Sequence, residues 1–469
     1  MLISVAIFAL GSGLCGGANT TTMLIASRVV QGLGAGGIFA LVEIIVADLV
    51  PLRGRQQLLW VSADNLPSMA AIQAFFALGT FVGPVIGGAI VTRTTWRWVF
   101  YINLPIAGIT LVLLFMFLRM NHVREGTTLQ RILRVDFLGH SILMAAIVAI
   151  RIPLTWGGIK YSWSSYHIVV PLVVGFAGLF VFATHQYLIA KDIASVPPRL
   201  FGSSVSTLAF IMTLIHGICM SWMSFFLPVY FQVLLGVTPE MSGVYLLATV
   251  IPLMPAAMFG GWYINKTGRY KPALVAGWCS FSLGAGLLTM LDSQSSAARW
   301  IVFQALCGAG GGVILTTTIP AIQGVLPESD VALATAVWSF VRSLGTIWGG
   351  AIPAVIFSSR VDQIIDQIED PDTRALLAGG GAYQHSTSSF IRAFDSDPVL
   401  KAQIIGVYTE ALKRLWQLLL AFTLAGVPLS LVIKEVELRT TLVTEFGLKT
   451  SEKDDLEVEE PSTGSTIDM

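Results

Sequence analysis

Charge is scarce in this sequence: 28 Lys and Arg and 28 Asp and Glu make up 12% of its 469 residues, against 54% hydrophobic. Soluble domains carry about twice that share of charge, so a soluble globular protein is excluded and a polytopic membrane protein is expected. Cysteine is nearly absent as well. Cys15, Cys219, Cys279 and Cys307 each sit inside an apolar run with no metal-ligand spacing, and read as small buried hydrophobes. No nucleotide-binding P-loop, nucleophile elbow or metal cluster occurs in any loop, which argues against ATP-driven pumping within the chain and against an enzyme. Neither a cofactor, a metal nor a nucleic-acid partner is expected, and energy has to come from a gradient or a partner.

What the chain has in abundance is apolar runs long enough to cross roughly 30 Å of hydrocarbon, about twenty residues each. Twelve are predicted, near 2–18, 22–49, 68–91, 97–119, 137–155, 168–189, 206–234, 241–263, 272–291, 300–325, 331–357 and 412–433. Basic residues concentrate on alternate loops: Arg53 and Arg55; Arg119, Arg124, Arg131 and Arg134; Lys191 and Arg199; Lys266, Arg269 and Lys271. By the positive-inside tendency those loops are cytosolic, and an even number of spans puts both termini there. Asn19 then heads a glycosylation sequon on the outer side, whereas the sequon at Asn265 lies inside.

Glycines recur within the third run at Gly79, Gly83 and Gly87, with Gly88 and Pro84 beside them. Glycines at i, i+4 and i+8 share one helix face, where a neighbouring helix can approach backbone to backbone, and Pro84 removes a donor and favours a kink. A helix-dimerising face is the alternative reading, against which five small or kinking residues together weigh. The second run carries Arg28 and Gln31 before Gly32, Gly34, Gly36 and Gly37. An arginine in such a run is costly to insert and faces protein or a water-filled path.

Together these segments resemble the major facilitator superfamily: the Arg28–Gln31–Gly32 pattern is similar to its fourth-span motif, and the Gly83-Pro84 segment to its fifth-span antiporter motif. Trp96, Trp98, Asn103 and Pro105, then Asp136 to Gly139, then Trp156 to Trp163, resemble the fourteen-span drug:proton antiporters of fungal type. The resemblance runs from Met1 to about Lys434. It implies an all-α major facilitator fold and export of drugs or secondary-metabolite toxins in exchange for protons by alternating access. It further implies amphipathic small-molecule substrates, a monomer, and residence in the plasma or vacuolar membrane. Because both motifs stand two spans early, the sequence is expected to lack the first two spans of the family pattern. A non-transporting sensor or inactive remnant, and an importer or uniporter of nutrients or siderophores, are the alternative readings.

The Gly34-Gly36-Gly37 cluster recurs as Gly308-Gly310-Gly311, as related halves would show. The loop bearing Gly261, Asn265, Gly268, Arg269 and Lys271 resembles the family's loop signature, with asparagine where aspartate is usual, so any clasp there is expected to be weak. Candidates for a central coupling and substrate cavity are Arg28, Gln31, Glu43, His216, Gln304, Trp338 and Arg342. Glu43 lies about 22 Å along the helix from Arg28 and about 60° around it, so the two are separate sites, Arg28 for coupling or substrate charge and Glu43 for proton binding or gating nearer the cytosol. His216 is either a hydrogen-bonded core histidine or a protonatable wall of an aromatic cavity. Asp136 is expected to cap a helix.

The organisation expected is a remaining N-terminal four-span bundle over 1–121, two linking spans over 122–205, a six-span bundle over 206–434 with an external segment at 358–411, and a disordered cytosolic tail over 435–469. Within the external segment, Val361, Ile364, Ile365 and Ile368 recur at helical spacing and suggest a short amphipathic helix lying on the membrane surface.

Overall fold

The computed structural model of the chain describes residues 1–49, 79, 83, 86–90, 93–117, 135–157, 161–190 and 194–436, without the side chains of 43, 44, 46–49 and 328. The described residues are built from helices: α1 (Leu2–Gly16), α2 (Thr21–Leu49), α3 (Asn103–Phe117), α4 (Phe137–Trp156), α5 (Tyr166–His185), α6 (Ser204–Val229), α7 (Leu247–Thr267), α8 (Lys271–Leu288), α9 (Ala297–Gln323), α10 (Val331–Ile364) and α11 (Pro398–Val432). Among the described residues nine helical segments are long and apolar enough to cross a membrane. The runs expected near 2–18 and 272–291 form α1 and α8, and the run at 68–91 lies largely outside the described residues.

The outside of the molecule is apolar where a soluble protein would be polar. On α5, Val169, Val170, Val173, Val174, Phe176 and Phe180 are all exposed, as are Ile109, Val112 and Phe115 on α3. Such a surface is stable against acyl chains and costly in water. The protein is an integral membrane protein.

Helix ends are set by local chemistry. Ser203 caps α6 through the Val205 amide, Ser165 caps α5 through the His167 amide, and Asp397 caps α11 through the amides of Val399 and Leu400. As expected, Asp136 caps α4 by accepting from the Gly139 amide at 2.7 Å. Glycine spacing sets the packing. A Cβ on Gly308 or Gly312 of α9 would overlap the carbonyl oxygens of Thr249 and Leu253 on α7, while one on Gly310 would overlap the backbone of α8 at Gly277 and Phe281. One glycine run thus seats two neighbours. Its counterpart on α2 acts likewise, since a Cβ on Gly34 would overlap the Phe8 backbone of α1.

The core lies among α6 to α11, where Trp222, Trp278, Trp338 and Trp416 are fully buried together with Tyr230, Tyr270 and Tyr408. That core continues into the 358–411 segment and corrects one expectation. Val361 and Ile364 form the last turns of α10, Ile365 and Ile368 follow in a tight turn, and all four are buried in the core cluster rather than lying on a membrane surface. The Tyr408 hydroxyl donates to the Ala382 carbonyl at 2.6 Å, and Phe226 meets Tyr383 at 5.2 Å. Tyr408 also meets Phe357 of α10 at 5.7 Å, so aromatic contacts join the 358–411 segment to the core.

Candidate functional site

Helices α6, α7, α9, α10 and α2 enclose a cavity of about 520 Å³. Its walls are Met220, Met223, Met254, Leu253 and Phe39 with other apolar groups, and its polar lining includes His216, Ser224, Thr249, Arg342, Ser343 and Thr346. The backbone explains why two of the expected residues meet here. Gly217 of α6 and Gly345 of α10 pack so closely that a Cβ on either would press on the other helix's backbone. Their neighbours His216 and Arg342 consequently line the same space. The Arg342 guanidinium stacks on the Trp338 ring, 4.8 Å from its centroid. His216 meets Phe281 edge-on at 6.4 Å.

Trp338 and Gln304 are not in the lining but support it from behind. Trp338 donates from Nε1 to the Thr318 hydroxyl at 3.1 Å, which fixes the ring under Arg342. Gln304 is fully buried, accepts from the Thr249 hydroxyl at 3.0 Å and donates to the Trp300 carbonyl at 3.0 Å. A satisfied buried amide of this kind holds the wall residue Thr249 in one orientation. Flexible methionines complete a pocket able to adapt to differently shaped apolar ligands, with a fixed cation and an imidazole to orient them. Met220, Met223, Met254 and Phe39 escape a sequence reading, because an apolar residue in an apolar run carries no signal of its own.

Arg28 and Gln31 form a second cluster. Arg28 Nη1 donates to Gln31 Oε1 at 2.8 Å, and Gln31 Nε2 donates to the Ser12 hydroxyl of α1 at 2.8 Å. The Arg28 guanidinium also stands 5.7 Å from the Phe100 ring centroid. Phe39, on the cavity wall, shares the Arg28 face of α2 about 16 Å along the axis. Glu43 falls on α2, but its side chain is outside the described residues. Of the glycine motif, Pro84 is also outside them; no described neighbour lies within 4 Å of a Cβ built on Gly79, Gly83 or Gly87, and one built on Gly88 would stand 3.4 Å from the Glu240 side chain. Asn19 is exposed and accepts from Arg97 Nη2 at 3.4 Å.

The loop after α7 is held by a glycine turn and by an exposed ion pair. Gly268 adopts φ +72°, a left-handed conformation that suits glycine at a helix C-terminus. Gly261 is buried in α7. Arg269 then reaches Glu435, Nε to Oε2 at 3.0 Å, and the other carboxylate oxygen accepts from the Lys271 amide at 3.3 Å. The negative charge of the clasp therefore comes from beyond α11.

A fourth group was not anticipated. Asp136 is buried with His185 and Gln186 at the far end of α5. Gln186 Nε2 donates to Asp136 Oδ2 at 2.5 Å, and the same oxygen is 3.6 Å from His185 Nδ1. The only sequence signal was Asp136 itself, whose partners are about fifty residues away. Among the described residues, no three His, Cys, Asp or Glu side chains come together as a metal site requires.

The family model described as Major Facilitator Superfamily matches residues 1–350. The chain belongs to the major facilitator superfamily. It is similar to "Efflux pump FUS6" of Gibberella moniliformis, with 42% identity over 448 residues covering 96% of this chain and 78% of that protein. It is also similar to "MFS-type transporter TwmF" of Talaromyces wortmannii, 43% identical over 451 residues, 96% and 80% of the two chains. "MFS efflux transporter aclA" of Aspergillus oryzae is 43% identical over 455 residues, again 96% and 80%. Among solved structures, a bacterial homolog to the human lysosomal transporter Spinster, in an inward-facing and occupied conformation, aligns with TM-score 0.45 at 13% identity over 92% of this chain and 81% of that one. Major facilitator proteins of fungal efflux type are thus its relatives.

Proposed function

We propose that this protein is a proton-coupled secondary transporter that exports amphipathic small molecules, drugs or secondary-metabolite toxins, by alternating access. The observation that supports it best is the cavity in which His216 and Arg342 face a wall of methionines. A volume of about 520 Å³ suits a drug-sized molecule, and the relatives named as efflux pumps support the outward direction. In this reading Arg342 and the aromatic ring beneath it orient the polar end of a substrate, and the methionines accept its apolar body. Arg28, Gln31, Glu43 and His216 couple transport to proton movement, so that the proton gradient drives the cycle. The protein works as a monomer in the plasma membrane with both termini in the cytosol. Two bundles, 1–121 and 206–434, rock about the cavity, joined through the linking spans of 122–205 and followed by a cytosolic tail over 435–469.

The test is transport in proteoliposomes under an imposed pH gradient, with neutral, cationic and anionic amphipathic dyes. The reading expects movement of at least one dye against its concentration gradient, collapse with a protonophore, and loss in Arg342→Ala. Dye movement equal to that of empty vesicles for the whole panel would overturn it in favour of a non-transporting sensor. Movement with the proton flux rather than against it would favour an importer.

A further inference from the structure

At the end of α10 remote from Val331, a second cavity of about 580 Å³ opens between α10 and α11 and shares no residue with the central one. Arg360 and Gln363 face it from α10, and Glu410, Lys413, Arg414 and Gln417 from α11, each set at three- and four-residue spacing along one helix face. Three cations meet one carboxylate. The nearby Asp362 is occupied elsewhere, accepting from the Gly379 amide at 2.8 Å.

The cations are poorly neutralised. Arg360 Nη2 is 3.8 Å from Glu410 Oε2, beyond hydrogen-bond length, and Arg360 Nη1 reaches only the Gln363 side chain at 3.3 Å. Arg360 Nε is buried and has no hydrogen-bond partner among the described residues. Arg414 makes a long bond of 3.4 Å to Gln417. A buried guanidinium N–H without a partner is costly, and an oxyanion is the acceptor that fits the guanidinium fork.

Position narrows the ligand. Lys413 and Arg414 immediately precede the apolar stretch of α11 that ends at Val432. From Lys413 to Val432 that stretch measures about 29 Å, the thickness of the hydrocarbon core, so the cleft opens at headgroup level. We propose that this cleft is a binding site for a phosphate group, presented by the headgroup of an anionic membrane lipid or by a soluble phosphate. Arg360 supplies directed N–H donors from a half-buried guanidinium whose Nε is the buried atom. Lys413 and Arg414 add charge at the exposed rim.

The test uses the purified full-length protein and the double variant Lys413→Gln/Arg414→Gln, whose changes fall on exposed positions and leave the Arg360 wall intact. Phosphatidylglycerol and phosphatidylcholine are compared by native mass spectrometry, and inorganic phosphate by the shift in melting temperature. Near a membrane surface each cation is worth about a fivefold change in affinity, so the double variant is expected to retain phosphatidylglycerol about 25-fold more weakly, with phosphatidylcholine unaffected. Stabilisation by inorganic phosphate in the parent alone, with no lipid preference, would assign the same site to a soluble anion. If the double variant elutes as folded protein and neither probe distinguishes it from the parent, the proposal is overturned.

Discussion

Asp136 and His185 face each other 3.6 Å apart, both buried, where α4 begins and α5 ends. The carboxylate ties three strands of chain together. Oδ1 caps α4, Oδ2 holds the Gln186 amide, and Gln186 Oε1 accepts from the Val196 amide on the path to α6. Asp136→Ala removes the cap and leaves the Gln186 donor without its acceptor. A loss of about 2–4 kcal/mol in stability is expected, read as a lowered melting temperature in detergent. Asp136→Asn keeps an acceptor for the cap and should lose less. Equal stability of the alanine variant and the parent would show that the cluster does not hold α4 and α5 together.

Glycine positions that look alike in sequence separate once the neighbours are known. A Cβ on Gly308 overlaps a backbone oxygen of α7, which has no rotamer to move away, whereas among the described residues nothing lies within 4 Å of one on Gly32. Gly308→Ala is therefore expected to lower stability by about 3 kcal/mol and to shift the protein towards aggregate in size-exclusion chromatography. Gly32→Ala should be neutral or mildly stabilising, since alanine favours the helix. The reverse order would mean that α7 and α9 do not pack as described.

Arg28 holds Gln31, and Gln31 holds Ser12, in a chain of two hydrogen bonds of 2.8 Å each. Its charge sits in a run where insertion is expensive, so loss of the arginine should not harm membrane insertion. Arg28→Ala is expected to abolish pH-driven efflux while leaving expression and membrane fractionation unchanged. Gln31→Leu should weaken transport less, because the cation remains without its orienting amide. Unchanged efflux in Arg28→Ala would remove the residue from coupling.

Much of this was legible in the sequence because it depends on spacing along one helix. The apolar runs, the glycine faces of α2 and α9, the cap at Asp136 and the cost of Arg28 and Arg342 are all properties of a single segment. What escaped depends on which helices meet. His216 and Arg342 were expected near one cavity and share it, but Gln304 and Trp338 stand behind its wall, since spacing gives a residue's depth without the direction in which its helix turns. The apolar face of Val361 to Ile368 was correctly a face, yet spacing could not say that it would be buried in the protein core instead of set against lipid. Glu435, about 170 residues from Asn265, replaces the missing loop carboxylate, a pairing that no local motif encodes.

Tyr270 gives that clasp a pH signature. Its hydroxyl donates to the Lys434 carbonyl at 2.5 Å, beside the Arg269–Glu435 pair, and burial pushes its pKa from 10.0 up to about 12. A group whose folded pKa lies above its unfolded value contributes stability that is whole below the unfolded value and is lost as pH rises through the folded one. The contribution of Tyr270 is accordingly intact below about pH 10 and disappears towards pH 12. In Tyr270→Phe the hydroxyl is gone, so the variant should be somewhat less stable at pH 8, and the difference from the parent should shrink as pH climbs through that window. The Arg269–Glu435 pair is a control, because an exposed pair contributes under about 1 kcal/mol and Glu435→Gln should lower stability only slightly at either pH. Melting temperatures of the three proteins at pH 8, 10 and 11.5 measure this directly. A parent and Tyr270→Phe variant that fall in parallel would mean that Tyr270 does not hold the end of α11 to the loop after α7.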